Sequence, residues 1–445
     1  MRIHFVGIGG IGMSSLALHS RLIGEEVYGS DIYESEQTEI LRKLGVKIFI
    51  GHNYNNWLYP DIVVHTPAVH SDNPEIIRAR SNGIRVVSRF EFLYDILNNG
   101  KTQFAVTGSD GKTTTTAMLA HCLKVLGEDP TVFLGGIHRS LEFGNYRPGK
   151  GPYVYELDES QPEFSRFSPD YMIITNARGD HLENYSGDRQ LYRDCFRSVV
   201  MSTRKSVVTF SEDENTSDLG TWTFGKSINS TCRLIDRNRN GLFQFAKIEI
   251  NGKEYNLTLK VPGEHNILNA MAVITLLWSA GHEVEKVLKA LEDFTGTYRR
   301  FTVTVIDEKR KVYMIDDYAH TPDEIKSLLS TTREVFPSQK RVVIFQPHRY
   351  SRLMREDGNF AKALKDADEI YITEVYSAFE QTIPQISSKV IADGLVSYGK
   401  KAQYVADADL LIENFQLQEN TIYLFVGAGD IIRISQKFAK MHAKK

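Results

Sequence analysis

The chain has 445 residues, 42% of them hydrophobic and 24% charged, with a formal net charge of −3. It is too long for one hydrophobic core, so two to four domains of a soluble globular protein are expected. The near-neutral balance, with no lysine-rich block before a short C-terminal tail, argues against a nucleic-acid partner, and the scattered Cys122, Cys195 and Cys232 argue against a disulfide framework or a zinc site.

Residues 3–6 read as an apolar strand, 7–12 as a glycine turn and 13–23 as a helix. Strands follow at 26–30, 47–50, 62–65 and 85–88, with helical stretches between them. This alternation predicts a parallel, Rossmann-like sheet over residues 1–99. The chain opens directly on a strand, so no signal peptide is expected and the location is expected to be cytoplasmic. The turn Gly7-Ile8-Gly9-Gly10-Ile11-Gly12 follows a strand and starts a helix, and Asp31 stands 24 residues after Gly7 at the end of the next strand. The pattern suits a dinucleotide, with the carboxylate taking a ribose hydroxyl. It equally suits any diphosphate, or a purely structural turn.

A polar linker at 98–101 leads into a second α/β segment, residues 100–295. Its opening strand runs into Gly108-Ser109-Asp110-Gly111-Lys112-Thr113 and then a helix. Backbone N–H groups at such a turn bind anions, Lys112 adds charge for terminal phosphates, and the Thr113 hydroxyl suits Mg²⁺. The loop is compact: the usual phosphate loop needs a glycine where Val106 stands. Strands at 153–157 and 171–175 flank it and end in Glu156-Leu157-Asp158-Glu159-Ser160 and Asn176-Ala177-Arg178-Gly179-Asp180-His181. Both should leave the same end of the sheet as the phosphate loop. A carboxylate and an imidazole beside Thr113 suit one or two Mg²⁺ ions for phosphoryl transfer. Mg²⁺ prefers oxygen, so on its own chemistry His181 reads as a general base, an outer residue or a core histidine. A further strand is predicted at 206–210. Alternating apolar residues on both sides of Asn251-Gly252 predict an antiparallel flap, closed by helices at 266–280 and 283–294. The first of these helices is the most apolar in the chain, but it is broken by Asn269 and too short to span a bilayer, so no membrane association is expected.

The third segment, residues 296–445, is read as another Rossmann-like α/β unit, with strands at 312–315, 341–345, 369–373 and 421–426 and helices at 322–335 and 357–364. Tyr298-Arg299-Arg300 sits at the junction, where an arginine can meet a phosphate. His348, Arg349 and Arg352 leave one strand as a carboxylate fork, and Tyr318 and His320 leave what should be its neighbour, so both loops should face one cleft.

These motifs occur in order along nearly the whole chain, which resembles the Mur ligase family. The resemblance rests on residues 7–14, 108–115, 156–160, Asp180-His181, 263–269, Arg299-Arg300-Phe301, 316–322 and 346–352. It implies three domains: a UDP-sugar domain, a central P-loop ATPase domain with the flap, and an amino-acid domain. The expected activity is ATP-dependent joining of L-alanine to the lactyl carboxylate of UDP-N-acetylmuramate through an acyl phosphate, by a monomer or weak homodimer. The sugar nucleotide is assigned to Gly9, Gly10, Gly12, Ser14, Asp31, His52, Thr66 and Ala68. ATP is assigned to Gly108, Ser109, Asp110, Gly111, Lys112, Thr113 and Thr114, with Asn266 and Asn269 near adenine, His265 nearby, Arg300 on phosphate and Asp323 on ribose. Mg²⁺, or Mn²⁺ in its place, is assigned to Thr113, Glu156 and His181. Alanine is assigned to Tyr318, His320, His348, Arg349 and Arg352. Lys112, Glu156, His181, His320, Arg349 and Arg352 carry the catalytic roles.

Three departures from the family pattern stand out: Ser109-Asp110 in the phosphate loop, where Ser109 keeps the hydroxyl of the usual threonine; Arg178-Gly179, where an acidic residue and proline are common; and the lack of a lysine after Asp180-His181. Asp110 places a negative charge where related ligases often carry histidine, and Arg178 is the residue positioned to offset it. Residues 191–203 contain no lysine, so the carbamylated lysine of several relatives has no counterpart, as expected of the alanine-adding branch. Competing readings are a nicotinamide-dependent oxidoreductase built on the Gly7–Gly12 turn, a non-catalytic nucleotide-dependent regulator and, within the family, a ligase recycling murein peptides.

Overall fold

Three apolar strand sets, each interleaved with helices, form three sheets in chain order. The structure, a computed structural model, describes residues 1–443 apart from Asp180, Asp357 and Phe379. The first sheet holds β1 (Arg2–Val6), β2 (Glu26–Asp31), β3 (Lys47–Ile50), β4 (Ile62–His65) and β5 (Arg85–Ser88) in the order β3-β2-β1-β4-β5, all parallel. This doubly wound order puts a switch point between β1 and β4, where ligands of such sheets sit. Helices begin where sequence chemistry starts them: Ser35 and Ser88 form capping boxes, and Asn73 caps the helix that opens with Pro74.

The second sheet contains β6 (Gln103–Thr107), β7 (Thr131–Phe133), β8 (Tyr146–Arg147), β9 (Tyr153–Glu156), β10 (Tyr171–Ile174), β11 (Ser206–Phe210), β12 (Trp222–Gly225), β13 (Cys232–Asn240), β14 (Phe243–Ile250) and β15 (Lys253–Leu259). Its order is β15-β14-β13-β12-β11-β10-β6-β9-β7-β8. The expected flap, β14 and β15, adjoins the parallel strands of this sheet, and β12 and β13 link the two. The turn between β14 and β15 is as expected: Asn251 at φ 49° and Gly252 at φ 78° both adopt the left-handed conformation a tight hairpin needs.

The third sheet holds β16 (Thr302–Asp307), β17 (Val312–Asp317), β18 (Lys340–Phe345), β19 (Glu369–Ile372), β20 (Lys401–Tyr404) and β21 (Thr421–Val426) in the order β16-β17-β21-β18-β19-β20. The edge strand β16 is antiparallel to its neighbour, and the other pairings of this sheet among the described residues are parallel. One expectation is corrected here: β17 and β18 are not adjacent, because β21 lies between them, hydrogen-bonded to both.

The chain divides into two compact units: Met1–Asn238, Phe245–Lys260 and Asn266–Thr297 form one, and Arg239–Gln244, Val261–His265 and Tyr298–Lys445 the other. Within the first unit the first two sheets share a hydrophobic cluster that runs from Phe5 and Leu93 to Tyr155 and Phe164. Polar ties cross the same seam: His19 Nδ1 to the Tyr146 hydroxyl at 3.0 Å, and Asn145 Nδ2 donating to Ser14 Oγ at 2.8 Å. Among the described residues no helix is long and apolar enough to cross a membrane.

One buried carboxylate organises the first sheet. Glu75 accepts from Ser30 Oγ (2.6 Å), the Asn53 N–H (3.0 Å) and Asn56 Nδ2 (2.8 Å), and lies 2.7 Å from His4 Nε2. Burial alone would raise its pKa, but hydrogen bonds from His4, His52 and Ser30 outweigh burial and hold it below the usual carboxylate range. Removing the acceptor would strand several buried donors, so Glu75→Ala should destabilise the chain by about 3–5 kcal/mol in urea titration. Because the folded pKa is depressed, the stabilisation is full above the unfolded value of 4.5 and is lost as pH falls below it. A Glu75→Ala chain whose stability difference from the parent stays constant from pH 7 to pH 3 would contradict this.

Candidate functional site

The phosphate loop lies where β6 ends, between β10 and β9. Gly108 (φ 125°) and Gly111 (φ 80°) take backbone conformations that side chains resist, and a Cβ at Gly111 would fall 2.8 Å from Asn269 Oδ1. Gly111 then caps the helix Lys112–Val125, with Thr114 buried in its first turn. The neighbouring strand braces the loop: Asn176 Oδ1 accepts from the Asp110 N–H at 3.0 Å, and Asn176 C=O from the Ser109 N–H at 2.9 Å. Ser109 Oγ in turn accepts from the Arg178 N–H at 2.9 Å. Arg178 lies 2.8 Å from Asp110, so the compensating pair inferred from the sequence exists.

Lys112 does not project into open space. Its Nζ donates to the Gly108 and Ser109 carbonyls and pairs with Glu159 at 2.8 Å. Burial would lower its pKa, but Glu159, Asp158 and Glu156 together hold it well above the ordinary lysine value. Each of these carboxylates has its own partner. Asp158 meets Arg89 at 3.0 Å, and although burial opposes it, Arg89 and Lys112 keep it below the usual range. Burial pushes both Glu159 and Glu156 up. Glu156 Oε2 accepts from Thr113 Oγ1 (2.9 Å) and the Gly135 N–H (3.1 Å).

These residues fit a divalent cation of the hard-oxygen type. A half-buried carboxylate whose charge is disfavoured stands against a hydroxyl, and Gly135 and Gly136 leave the room: a Cβ on either would strike Glu156 or Thr113. His181, the third residue assigned to the metal, precedes the helical turn Leu182–Tyr185. Its Nδ1 is 3.5 Å from Glu183. Among the described residues no group of three or more His, Cys, Asp or Glu is gathered for a metal ion. Asp180, part of the expected motif, lies outside the described residues.

At the first sheet, Gly9 N–H donates to Asp31 Oδ2 at 2.8 Å, so Asp31 closes the glycine turn with the carboxylate assigned to ribose. Gly10 precedes the helix Ile11–Leu22, and Arg89 packs onto Gly12. Ser14 is fully buried, its hydroxyl donating to Ile11 C=O and accepting from Asn145. Thr66 packs on Gly7, which brings the turn carrying exposed Ala68 against the glycine turn. His52 Nδ1 lies 3.0 Å from Ser30 Oγ and 3.6 Å from Glu75.

In the third sheet the two expected loops meet across the end of β21. Ring centroids of Tyr318 and His320 are 5.4 Å apart, and those of His320 and His348 5.8 Å. Arg352 Nη1 is 3.2 Å from His348 Nδ1. Arg349 takes φ 70°, ψ 136°, a strained conformation for a side-chain-bearing residue, and its buried Nε has no hydrogen-bond partner among the described residues. A ligand carboxylate is the acceptor such a guanidinium lacks. Burial lowers the pKa of both histidines: Glu324 opposes this at His320, while His320, Arg352 and Arg349 reinforce it at His348.

The remaining assigned residues are spread over both units. Asn266 and Asn269 are buried in the helix Glu264–Ser279, and Asn269 faces Gly111. His265 Nδ1 lies 2.9 Å from Ser327 Oγ in the second unit, where Asp323 is paired with Lys326 and Arg300 with Glu324. Arg299, by contrast, is internal: it pairs with Asp316 at 3.1 Å and donates to Gly427 C=O at 2.5 Å. Glu159, Glu75 and Tyr376, which stacks on His348, were not singled out from sequence. Tyr376 lies in a loop leaving β19 at the same sheet end as His348, a signal that was available.

A phosphate loop set in a carboxylate nest next to a glycine-turn sheet in the first unit, and a histidine–arginine cleft within the second, define a three-sheet enzyme of the P-loop class. Residues 2–101 match the Mur ligase family catalytic domain, 106–277 the Mur ligase middle domain and 299–429 the Mur ligase glutamate ligase domain. The chain belongs to the Mur ligase family. It is 56% identical over 444 residues to a UDP-N-acetylmuramate–L-alanine ligase of Thermotoga petrophila, covering 99% of this chain and 97% of that one. Against the enzyme of the same name from Acetivibrio thermocellus it is 36% identical over 453 residues, covering 98% and 95%. The crystal structure of the UDP-N-acetylmuramate–alanine ligase of Thermotoga maritima matches with a TM-score of 0.91 at 53% identity, over 99% of both chains. A murein peptide ligase from Psychrobacter arcticus shares the fold, with a TM-score of 0.73 at 22% identity over 100% and 99% of the chains.

The contrast between the junction arginines is testable. Arg299→Ala leaves the Asp316 carboxylate buried without its guanidinium, so chemical denaturation should show a loss of about 3–5 kcal/mol. Arg300→Ala, at a partly exposed site, should cost clearly less. Equal losses for the two would contradict the division of labour.

Proposed function

We propose that the chain joins L-alanine to the lactyl carboxylate of UDP-N-acetylmuramate at the expense of ATP, releasing ADP and phosphate, in the synthesis of peptidoglycan precursors. The observation that carries this reading is the contact of Thr113 with Glu156 beside the half-buried Lys112, in a chain similar over its full length to ligases of that name. Three domains are proposed: 1–99 for the UDP sugar, 100–295 for ATP and 296–445 for the amino acid. A cytoplasmic monomer or weak homodimer is proposed as the working form.

A carboxylate is a poor acyl donor because its leaving group would be oxide. Transfer of the γ-phosphoryl group to a lactyl oxygen gives an acyl phosphate and ADP. The alanine amine then forms the new C–N bond, the acyl C–O bond breaks, and phosphate leaves. Lys112 is kept cationic by its carboxylate neighbours, and its proposed role is to neutralise charge spread over the transferring oxygens. Thr113 and Glu156, with His181 as a third ligand, would hold Mg²⁺ or Mn²⁺, which when bound supplies further neutralisation of phosphate charge. Arg349 and Arg352 clamp the alanine carboxylate and thereby aim its amine. His181 and His320 are the candidates to receive the amine proton. His320 is favoured: its Nδ1 faces two acceptors, Tyr318 C=O at 3.1 Å and Glu324 at 3.2 Å, so Nδ1 carries the proton and Nε2 keeps a lone pair.

Phosphate release from ATP in the presence of UDP-N-acetylmuramate should depend on L-alanine, and glycine, L-serine, D-glutamate and a murein tripeptide should serve less well. Preference for the tripeptide would transfer the chain to the recycling branch. Lys112→Ala should abolish release while UDP-sugar binding by calorimetry stays unchanged; loss of that binding would contradict the assignment of the sugar to the first sheet. Arg352→Lys keeps charge but loses the planar fork. It should raise the alanine KM about ten- to a hundredfold, equivalent to roughly 1.5–3 kcal/mol, with the ATP KM unmoved. A raised ATP KM with alanine unaffected would place residues 346–352 in the nucleotide site.

A further inference from the structure

Tyr376 holds the imidazole of His348 from behind. The two rings stack with centroids 5.6 Å apart and planes 15° from parallel. They extend the series that begins with Tyr318 and His320, so four aromatic rings stand in contact beside the Arg349–Arg352 fork. The backbone registers this stacking: His348 and Tyr376 form a parallel bridge, with the Arg349 N–H donating to Tyr376 C=O at 2.8 Å and the Tyr376 N–H to Pro347 C=O at 2.9 Å. Farther along the same loop, Glu380 accepts from the Ser351 N–H at 3.1 Å at the start of the fork helix. The Tyr376 side chain is itself boxed in. A Cβ on Gly429 would lie 2.5 Å from its Cγ, so glycine backbone closes in on it there and leaves it little room to retreat.

We propose that Tyr376 sets the depth of the amino-acid pocket. By fixing the His348 ring against the fork it limits the side chain of the incoming amino acid to about the size of a methyl group; this rests on the amino-acid-adding reading above. Tyr376 is a positioning residue, acting through His348 rather than on the reacting atoms. Without its ring, His348 has space to swing away from the fork, and the pocket deepens. A purely supporting role would lower turnover with every amino acid alike. A depth-setting role changes their ratio.

The test is kcat/KM for L-alanine, L-2-aminobutyrate and L-valine, measured by phosphate release with the full chain, ATP and UDP-N-acetylmuramate. In Tyr376→Ala the ratio of L-2-aminobutyrate to L-alanine should rise about tenfold, the scale at which a hydrophobic pocket discriminates one methylene. L-valine should move in the same direction. Tyr376→Phe keeps the stacked ring and should keep the parent ratio. Tyr376→Leu serves if the alanine variant fails to fold by thermal melting, and should give a smaller shift of the same sign. A ratio unchanged in the folded variants while L-alanine activity falls would overturn the pocket proposal and leave the ligase reading intact. So would a shift in Tyr376→Phe as large as that in Tyr376→Ala. Absence of L-alanine-dependent phosphate release by the parent would overturn the ligase reading itself, and the pocket with it.

Discussion

A half-buried ammonium ringed by carbonyls needs anions beside it, and the arrangement around Lys112 follows from that need. The lysine donates to loop carbonyls and pairs with Glu159, while Asp158 and Glu156 add to the field that keeps it charged. Those carboxylates are available because β9 runs parallel to β6 as its direct neighbour and ends at the same level. Parallel pairing thus turns two separate stretches of sequence into one electrostatic unit. The field also works outward: Asp158 reaches Arg89, which packs on the glycine turn of the first sheet. The phosphate loop and the glycine turn are joined through one ion pair, within a unit whose two sheets already share a hydrophobic cluster.

Strained backbone occurs at the amino-acid fork and at the junction arginines, as it does at several turns elsewhere. Arg349, at the amino-acid fork, and Arg299 and Phe301, on either side of Arg300, all have positive φ. Such conformations persist when surrounding bonds over-determine them. Arg349 is held by its N–H bond to Tyr376, Arg299 by Asp316 and Gly427, and Phe301 by Asp317, whose carboxylate also accepts from the Ala319 N–H. Burial pushes the Asp317 carboxyl up to about 6, although Arg300 and the two backbone donors favour its charged form. Asp317 and Asp316 end β17, so the last two residues of one strand set the path of the junction on one side and of the Tyr318–His320 loop on the other.

Much of this was legible in the chain because the signals are local. Strand, turn and helix around Gly108–Lys112 follow one another in sequence, and the Asn251-Gly252 turn lies between alternating runs. Compensation of Asp110 by Arg178 was readable because both loops had been assigned to one sheet end. What escaped was set by non-local pairing. Cys232–Asn240 carries arginine, aspartate and asparagine at positions where a strand is usually apolar, so the link between the parallel strands and the hairpin was not visible. The strand that separates β17 from β18 comes from residues 421–426, beyond both of them in the chain. Ser14 reads as a turn hydroxyl open to a ligand until Asn145, far along the chain, occupies it. Glu75 and Glu159 carry no sequence mark of burial; only their partners reveal them.

The central claim is that the Lys112–Glu156 site directs the γ-phosphoryl group of ATP to a carboxylate oxygen of the sugar. It is tested most directly with UDP-N-acetylmuramate carrying oxygen-18 in its lactyl carboxylate, turned over with ATP and L-alanine. If the carboxylate is phosphorylated before the amine attacks, each phosphate released carries one labelled oxygen from the sugar. Unlabelled phosphate formed alongside the amide product would contradict the account.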